Sequence, residues 1–372
     1  MIFKNTFLFI CSLLLFMGKS SDVQGLKDIF KGDFLIGVAM KTGFVMEGMP
    51  EVQPILEQHF NSLSPENGLK WVKVHPEQDR YDFEFGDKYV AMGEKLGAFT
   101  IGHCLVWHQQ VPDWVFRDEA GEFLNKEALI ERMEEHIEMV VGRYKGKIKG
   151  WDVVNEVFDD DGTWRKSSWY KIAGSDFIKA AFRKAHEIDP EAELYYNDYN
   201  VFLPTKRRAI LDFLKEMKSE GIRIDGIGMQ GHYLIDSPSI DKIEQGILDV
   251  NEAGFSVMFT ELDVDVLPRP RQSEGADLNM NFSNSAKWDP YVDGLTSETE
   301  MKLALRYASL FSLFKKHRDK ISRVTFWGIN DGNTWLNNFP VKGRTNYPLL
   351  FDRDFKIKQE VFNEIKKASA SE

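Results

Sequence analysis

One pattern recurs eight times along the 372 residues: an apolar, β-rich segment ends in polar or aromatic residues, and an amphipathic stretch follows. The β-like segments are Phe34–Met40, Phe60–Asn67, Phe99–Trp107, Ile148–Glu156, Ala192–Asn200, Asp225–Tyr233, Ser256–Val264 and Arg323–Asp331. Helical candidates between them include Leu124–Tyr144, Thr205–Gly221 and Ser297–His317. In the first of these, Leu129, Met133, His136, Ile137, Val140 and Val141 recur at i, i+3, i+4 spacing, the apolar stripe that lets a helix pack on a sheet. Strands alternating with helices imply right-handed βαβ units and a parallel sheet. Eight such units predict an α/β chain closed as a (β/α)8 TIM barrel. An open doubly wound sheet usually carries a glycine-rich phosphate loop after its first strand, and Gly37-Val38-Ala39-Met40 is not one. No Pro/Ser-rich linker divides the chain, and 43% of it is hydrophobic, enough for a sizeable core. A single domain over 21–372 is therefore expected.

Residues 1–20 read instead as an export signal. Lys4 precedes the apolar run from Phe7 to Met17, which falls short of the roughly 20 residues that span a bilayer. Gly18 and Ser20 supply the small-x-small spacing of a cleavage site after Ser20. Phe9 and Ile10 before Cys11 do not match a lipid-anchor cysteine, so the expected mature form is unanchored and either periplasmic or extracellular. Cleavage removes Lys4 and Lys19 and no acid, taking the net charge from −11 to −13. An acidic surface argues against nucleic acid and anionic membranes as partners and suits an enzyme acting on a neutral polymer. Cys104 is then the remaining cysteine, so no intramolecular disulfide is expected.

In a (β/α)8 barrel the active site lies at the C-terminal ends of the strands. Those ends read Ser64-Pro65-Glu66-Asn67, His103 through Trp107-His108, Asn155-Glu156, Asn197-Asp198-Tyr199-Asn200, Gln230-Gly231-His232, Thr260-Glu261-Leu262-Asp263 and Trp327 through Asp331. Glu156 and Glu261 end the fourth and seventh segments, three apart around an eight-membered ring, so their tips face each other across the mouth. Glycoside hydrolysis needs such a pair: one carboxylic acid protonates the leaving oxygen, and one carboxylate attacks or activates water. A lone Glu at a strand end is ordinarily a solvated or salt-bridged carboxylate; two among His, Asn and Trp point to chemistry. Glu261 shares its parity with Asp263, as Gln230 does with His232, which permits a network from Asp263 through His232 to Glu261. Asn155 and Glu156 have opposite parity, so both reach the site only if the fourth strand bulges or twists at its end. Trp107, Trp327 and Trp335 lie at or beyond strand ends and read as stacking platforms for sugar rings, whereas Trp151 reads as structural. His103, His108, His232 and Asp263 have a rival use as metal ligands, but no His-x-His or His-x-x-x-His pattern accompanies them, and no metal is expected. His59, His186 and His317 read as core histidines.

At these residues the chain resembles glycoside hydrolase family 10, the family of β-1,4-xylanases. The resemblance rests on Ser64-Pro65-Glu66-Asn67-Gly68-Leu69-Lys70-Trp71, Gly102-His103-Cys104-Leu105-Val106-Trp107-His108, Trp151-Asp152-Val153-Val154-Asn155-Glu156, Tyr196-Asn197-Asp198-Tyr199-Asn200, Gln230-Gly231-His232, Thr260-Glu261-Leu262-Asp263 and Phe326-Trp327-Gly328, in family order over nearly all of the mature chain. It implies a retaining endo-β-1,4-xylanase without metal or organic cofactor, acting on xylan and xylo-oligosaccharides, and a monomer is expected. Glu156 would be the acid/base and Glu261 the nucleophile. Asn155 would bond the 2-hydroxyl of the attacked sugar, and His232, backed by Asp263, would hold Glu261. Glu66, Asn67, Lys70, His103, Trp107 and Gln110 would line the non-reducing side, with His108 and Gln230 among the binding residues. Trp327 and Trp335 would flank the cleavage point, and Tyr199 and Asn200 would serve the reducing side. Two features depart from the common pattern: Cys104 stands where threonine is frequent, and Pro268–Leu295 extends the loop after the seventh strand. A related β-1,4-glucanase or mannanase, or a non-catalytic polysaccharide-binding protein, is the alternative. Reducing-sugar release from xylan separates them.

Overall fold

A computed structural model describes residues 24–270 and 282–370. The export signal expected at 1–20 lies outside the described residues, as does 271–281 of the extended loop. Among the described residues nine strands form: β1 (Leu35–Met40), β2 (Ser62–Pro65), β3 (Phe99–Trp107), β4 (Gly150–Asn155), β5 (Glu193–Asp198), β6 (Gly226–Met229), β7 (His232–Leu234), β8 (Ser256–Asp265) and β9 (Ile321–Phe326). The sheet runs β6-β5-β4-β3-β2-β1-β9-β8, every neighbour parallel, and β8 pairs back onto β6. The result is a closed eight-stranded parallel barrel with helices between its strands, the (β/α)8 architecture expected from the alternation.

The sixth expected segment is two strands rather than one. Gly231, at φ +85°, turns the chain between β6 and β7. Met229 pairs with Phe259, but His232 pairs with Asp263, a slip of one residue that seats β7 on the far end of β8. His232 is thereby placed opposite Asp263.

The helix Lys126–Arg143 begins where Asn125 caps it by accepting from the Ala128 amide at 2.9 Å. It buries Leu129, Met133, His136, Ile137, Val140 and Val141, the same six residues as the sequence stripe. At roughly 1.5–3 kcal/mol for each large apolar side chain removed from water, this face outweighs the helix's own weak propensity terms. Most of the core is this layer between strands and helices. Inside the barrel, Ile101, Tyr195 and Met258 form a separate small cluster, with the Arg323 guanidinium 5.3 Å from the Tyr195 ring centre. The described residues contain no helix long and apolar enough to cross a membrane.

Candidate active site

The C-terminal ends of the strands open into a cleft of about 720 Å³. Glu66, Asn67, Lys70, His103, Trp107, Gln110, Asn155, Glu156, Tyr199, Asn200, Gln230, His232, Glu261, Trp327 and Trp335 all line it. Two candidates do not. Asp263 is fully buried behind His232 and Trp335. His108, which follows Trp107 at the end of β3, sets its ring edge-on to Trp107 at 5.6 Å and lies outside the lining.

Asn155 and Glu156 both reach the cleft despite their opposite parity. The register of β4 against β5 shifts between Asp152 and Val154, and Glu156 adopts φ +58°. A left-handed backbone at a residue with a Cβ costs about 1–2 kcal/mol. Its amide donates to the Asn197 carbonyl at 3.0 Å, and its own carbonyl accepts from Arg165 Nε at 2.9 Å.

The two glutamates sit in contrasting surroundings. Glu156 accepts from neutral donors, Trp107 Nε1 at 2.9 Å and Gln230 Nε2 at 2.8 Å. Glu261 accepts from Asn197 Nδ2 at 2.8 Å and meets His232 Nε2 at 3.0 Å, while His232 Nδ1 lies 3.0 Å from Asp263. Burial opposes ionisation of Glu261, but the His232 hydrogen bond and the electrostatic influence of His103, His232 and Lys70 hold its carboxyl below the ordinary range. Burial also disfavours charge on His232, yet the Asp263 carboxylate and the bonds to Asp263 and Glu261 raise its pKa to about 10. These contacts favour the imidazolium form of His232 beside Glu261. Gln230 touches both glutamates, since its backbone carbonyl accepts from the Glu261 amide at 2.7 Å.

The flanks are equally organised. On one side Lys70 donates to Asn67 at 2.9 Å and stands 4.6 Å over the Trp107 ring, and Asn67 donates to Glu66 at 3.2 Å. Burial raises the Glu66 carboxyl against the opposing pull of Lys41, Lys70 and Asn67. His103 Nδ1 is 2.9 Å from Asp152, and its ring meets Trp327 edge-on at 5.4 Å. Across the cleft Trp335 donates to Asp263 at 2.8 Å and stacks on Phe339 with ring centres 5.0 Å apart. Beyond Glu156, Asn200 donates to Asp160 at 3.0 Å, and the buried Lys206 places Nζ 3.4 Å from the Tyr199 ring centre. Among the described residues no trio of His, Cys, Asp or Glu is arranged to hold a metal ion. Cys104 is buried, which pushes its thiol well above the usual range, and its packing gives it no chemistry.

Sequence reasoning placed Asn197 at a strand end and Asp152 in a motif without giving either a role, and it missed Phe339. The structure pairs Asn197 in register with Asn155 at the ends of β5 and β4. Asp160, Arg269 and Pro270 also line the cleft from loops whose paths no periodicity reveals.

The chain matches the Glycosyl hydrolase family 10 model over residues 25–368. It is 46% identical over 341 residues to the endo-1,4-beta-xylanase A of Xylanibacter ruminicola, covering 92% of each chain. It is 41% identical over 344 residues to an endo-1,4-beta-xylanase of Geobacillus stearothermophilus, covering 91% of this chain and 97% of that one. Among solved structures, a GH10 endoxylanase retrieved from a sugarcane soil metagenome aligns with a TM-score of 0.86 at 48% identity, covering 93% of this chain and 99% of that one. A closed parallel barrel, two cleft glutamates at the ends of its strands and a match over nearly the whole length together place this chain in glycosyl hydrolase family 10.

Proposed function

We propose that this protein is a retaining endo-β-1,4-xylanase that hydrolyses internal bonds of xylan and xylo-oligosaccharides by double displacement. The observation that carries the reading is the contrast between the two cleft glutamates. Glu261, its carboxyl held below the ordinary range beside His232, is suited to attack; Glu156 faces the same cleft from the end of β4, bonded by the uncharged Trp107 and Gln230, and takes the acid/base role that the family resemblance implies. In the first step a Glu261 oxygen attacks the anomeric carbon, the glycosidic C–O bond breaks, and Glu156 gives its proton to the departing oxygen. In the second, Glu156 takes a proton from water, whose oxygen displaces Glu261 from the anomeric carbon. Asn155, which lines the cleft and is joined to the buried Asn197, is the candidate to bond the attacked sugar's 2-hydroxyl, and His232 with Asp263 would orient Glu261. No cofactor enters either step.

Reducing-sugar release from xylan, with a β-configured first product, tests the reading. Glu261→Ala should abolish turnover of every substrate, because no glycosyl-enzyme forms. Glu156→Ala should fail on xylan, keep glycosylation by dinitrophenyl xylobioside, and with azide yield a β-glycosyl azide. An α-azide reverses the two roles, and an α first product overturns retention. We also read residues 1–20 as a cleaved export signal on the charge and apolar run described above, and the mature protein as a monomer. The N-terminal sequence of exported protein and its mass in solution test these.

A further inference from the structure

Arg165 does not line the cleft, yet it holds two residues that do. It lies on the hairpin that leaves β4: Phe158 and Trp164 form an antiparallel bridge, and the Arg165 amide donates to the Val157 carbonyl at 2.9 Å. From there its side chain folds back along the hairpin. Nε donates to the Glu156 carbonyl at 2.9 Å, Nη2 donates to the Tyr199 hydroxyl at 2.7 Å and to the Phe158 carbonyl at 3.3 Å, and Nη1 lies 3.1 Å from Asp159. All three guanidinium nitrogens are engaged, and 15% of the side chain is exposed. A flat fork with fixed donor directions can hold several acceptors in one geometry, which an ammonium cannot.

The backbone at Glu156 needs such a hold. Its left-handed φ of +58° aims the carboxyl into the cleft. On its N-terminal side the Glu156 amide is fixed to β5 through the Asn197 carbonyl. On its C-terminal side the carbonyl is fixed by Arg165. The same guanidinium grips Tyr199, which lines the cleft beyond Glu156 and has the Lys206 cation against its ring.

We propose that Arg165 is a positioning residue that locks the left-handed backbone of Glu156 to the Tyr199 hydroxyl, so that proton delivery to the leaving sugar depends on a side chain that touches neither the substrate nor the Glu156 carboxyl. The inference rests on the reading of Glu156 as acid/base and of Tyr199 as a reducing-side contact.

The test compares substrates that do and do not need an acid. In Arg165→Lys and Arg165→Ala, kcat/KM for xylohexaose should fall about 10- to 100-fold, part of the roughly 10²–10⁴-fold a general acid contributes. kcat/KM for dinitrophenyl xylobioside, whose leaving group needs no proton, should stay within about threefold. Its kcat should fall, because Glu156 must also activate water, and azide should restore kcat in the variants while leaving the wild type unmoved. Tyr199→Phe removes only the hydroxyl and should repeat the pattern more weakly. Combined with Arg165→Lys, it should cost less than the product of the single losses. If Arg165→Ala does not fold, the Lys and Phe variants decide the matter. Equal losses on both substrates, no loss, or fully multiplicative losses overturn the proposal. Wild type and Glu156→Ala run alongside: if the wild type does not cleave xylohexaose, or Glu156→Ala lacks the leaving-group pattern, the functional reading fails instead.

Discussion

His232 contacts the Glu261 carboxylate on one side and Asp263 on the other, which makes its charge testable by pH. Glu261 has its carboxyl lowered by this neighbour, so losing the imidazolium must raise it. His232→Asn should therefore move the acid limb of kcat/KM to higher pH, a limb that reports the free enzyme. An unmoved limb separates His232 from Glu261 ionisation. The stability side has a definite window. The raised His232 contributes fully below its unfolded pKa of 6.5 and loses that contribution as pH rises through about 10. The lowered Glu261 contributes above 4.5 and loses it on acidification. Both act between 4.5 and 6.5, where denaturant titration should find His232→Asn most destabilised relative to the wild type. Trp335 raises a question of selectivity. It is fixed by Asp263 and backed by Phe339, and we propose that its ring fills the space where glucose would carry a hydroxymethyl group that xylose lacks. Packing exclusion of this size is worth about 1–3 kcal/mol, or roughly 10–200-fold. An aryl xylobioside should exceed the matching cellobioside in kcat/KM by such a factor. Trp335→Ala should narrow the ratio by harming the xyloside more. A ratio unchanged in the variant removes Trp335 as its cause, and no preference in the wild type favours a broad β-glucanase.

Elements place these residues through small departures from regularity. The end of β4 shifts register and turns left-handed at Glu156, and β6 breaks at Gly231 so that β7 can meet Asp263. Between such ends the strands are tightly packed. A Cβ at Gly102 on β3 would stand 2.0 Å from the Trp151 ring, which is itself buried. Gly102→Ala should destabilise by about 1–3 kcal/mol, the range for forcing atoms into a filled core, and thermal unfolding measures it. An unchanged Tm shows that Trp151 yields without cost. The sequence located β3 to the residue and placed the apolar stripe of the helix Lys126–Arg143 correctly, because apolar spacing survives in one dimension. It joined β6 to β7, because nothing in the sequence marks Gly231, rather than Gly226 or Gly228, as the glycine of positive φ. It required a bulge or twist for Glu156 without saying which.

At the scale of the whole molecule, distant parts of the chain meet beside β1. His59, ending the helix Val52–His59, accepts from the Leu26 amide at 3.4 Å and packs edge-on against Phe351 and Phe362, the latter on the helix Gln359–Ala370. Burial lowers its pKa to about 4, with Asp28 opposing and Lys27 assisting. A histidine kept neutral in the folded state stabilises above its unfolded pKa of 6.5 and costs stability as pH falls toward 4, because the unfolded chain takes up the proton first. By pH 5 the penalty should reach at most about 2 kcal/mol. His59→Gln should therefore lose less stability than the wild type between pH 7 and pH 5 in denaturant titrations. Parallel losses place His59 outside the acid response.

By itself the sequence determined the barrel, the face that bears the site, both glutamates and most of the cleft lining. It did so because strand and helix periods are local, and because a parallel barrel presents the C-terminal ends of its strands at one mouth. Only the tertiary structure decided which neighbours act together. Asn197 lies 64 positions from the Glu261 it bonds, Trp335 is 72 from Asp263, and Arg165 is 34 from Tyr199. Contacts of that span depend on register around a closed sheet and on loop paths. No stretch of chain contains them until the ring has closed.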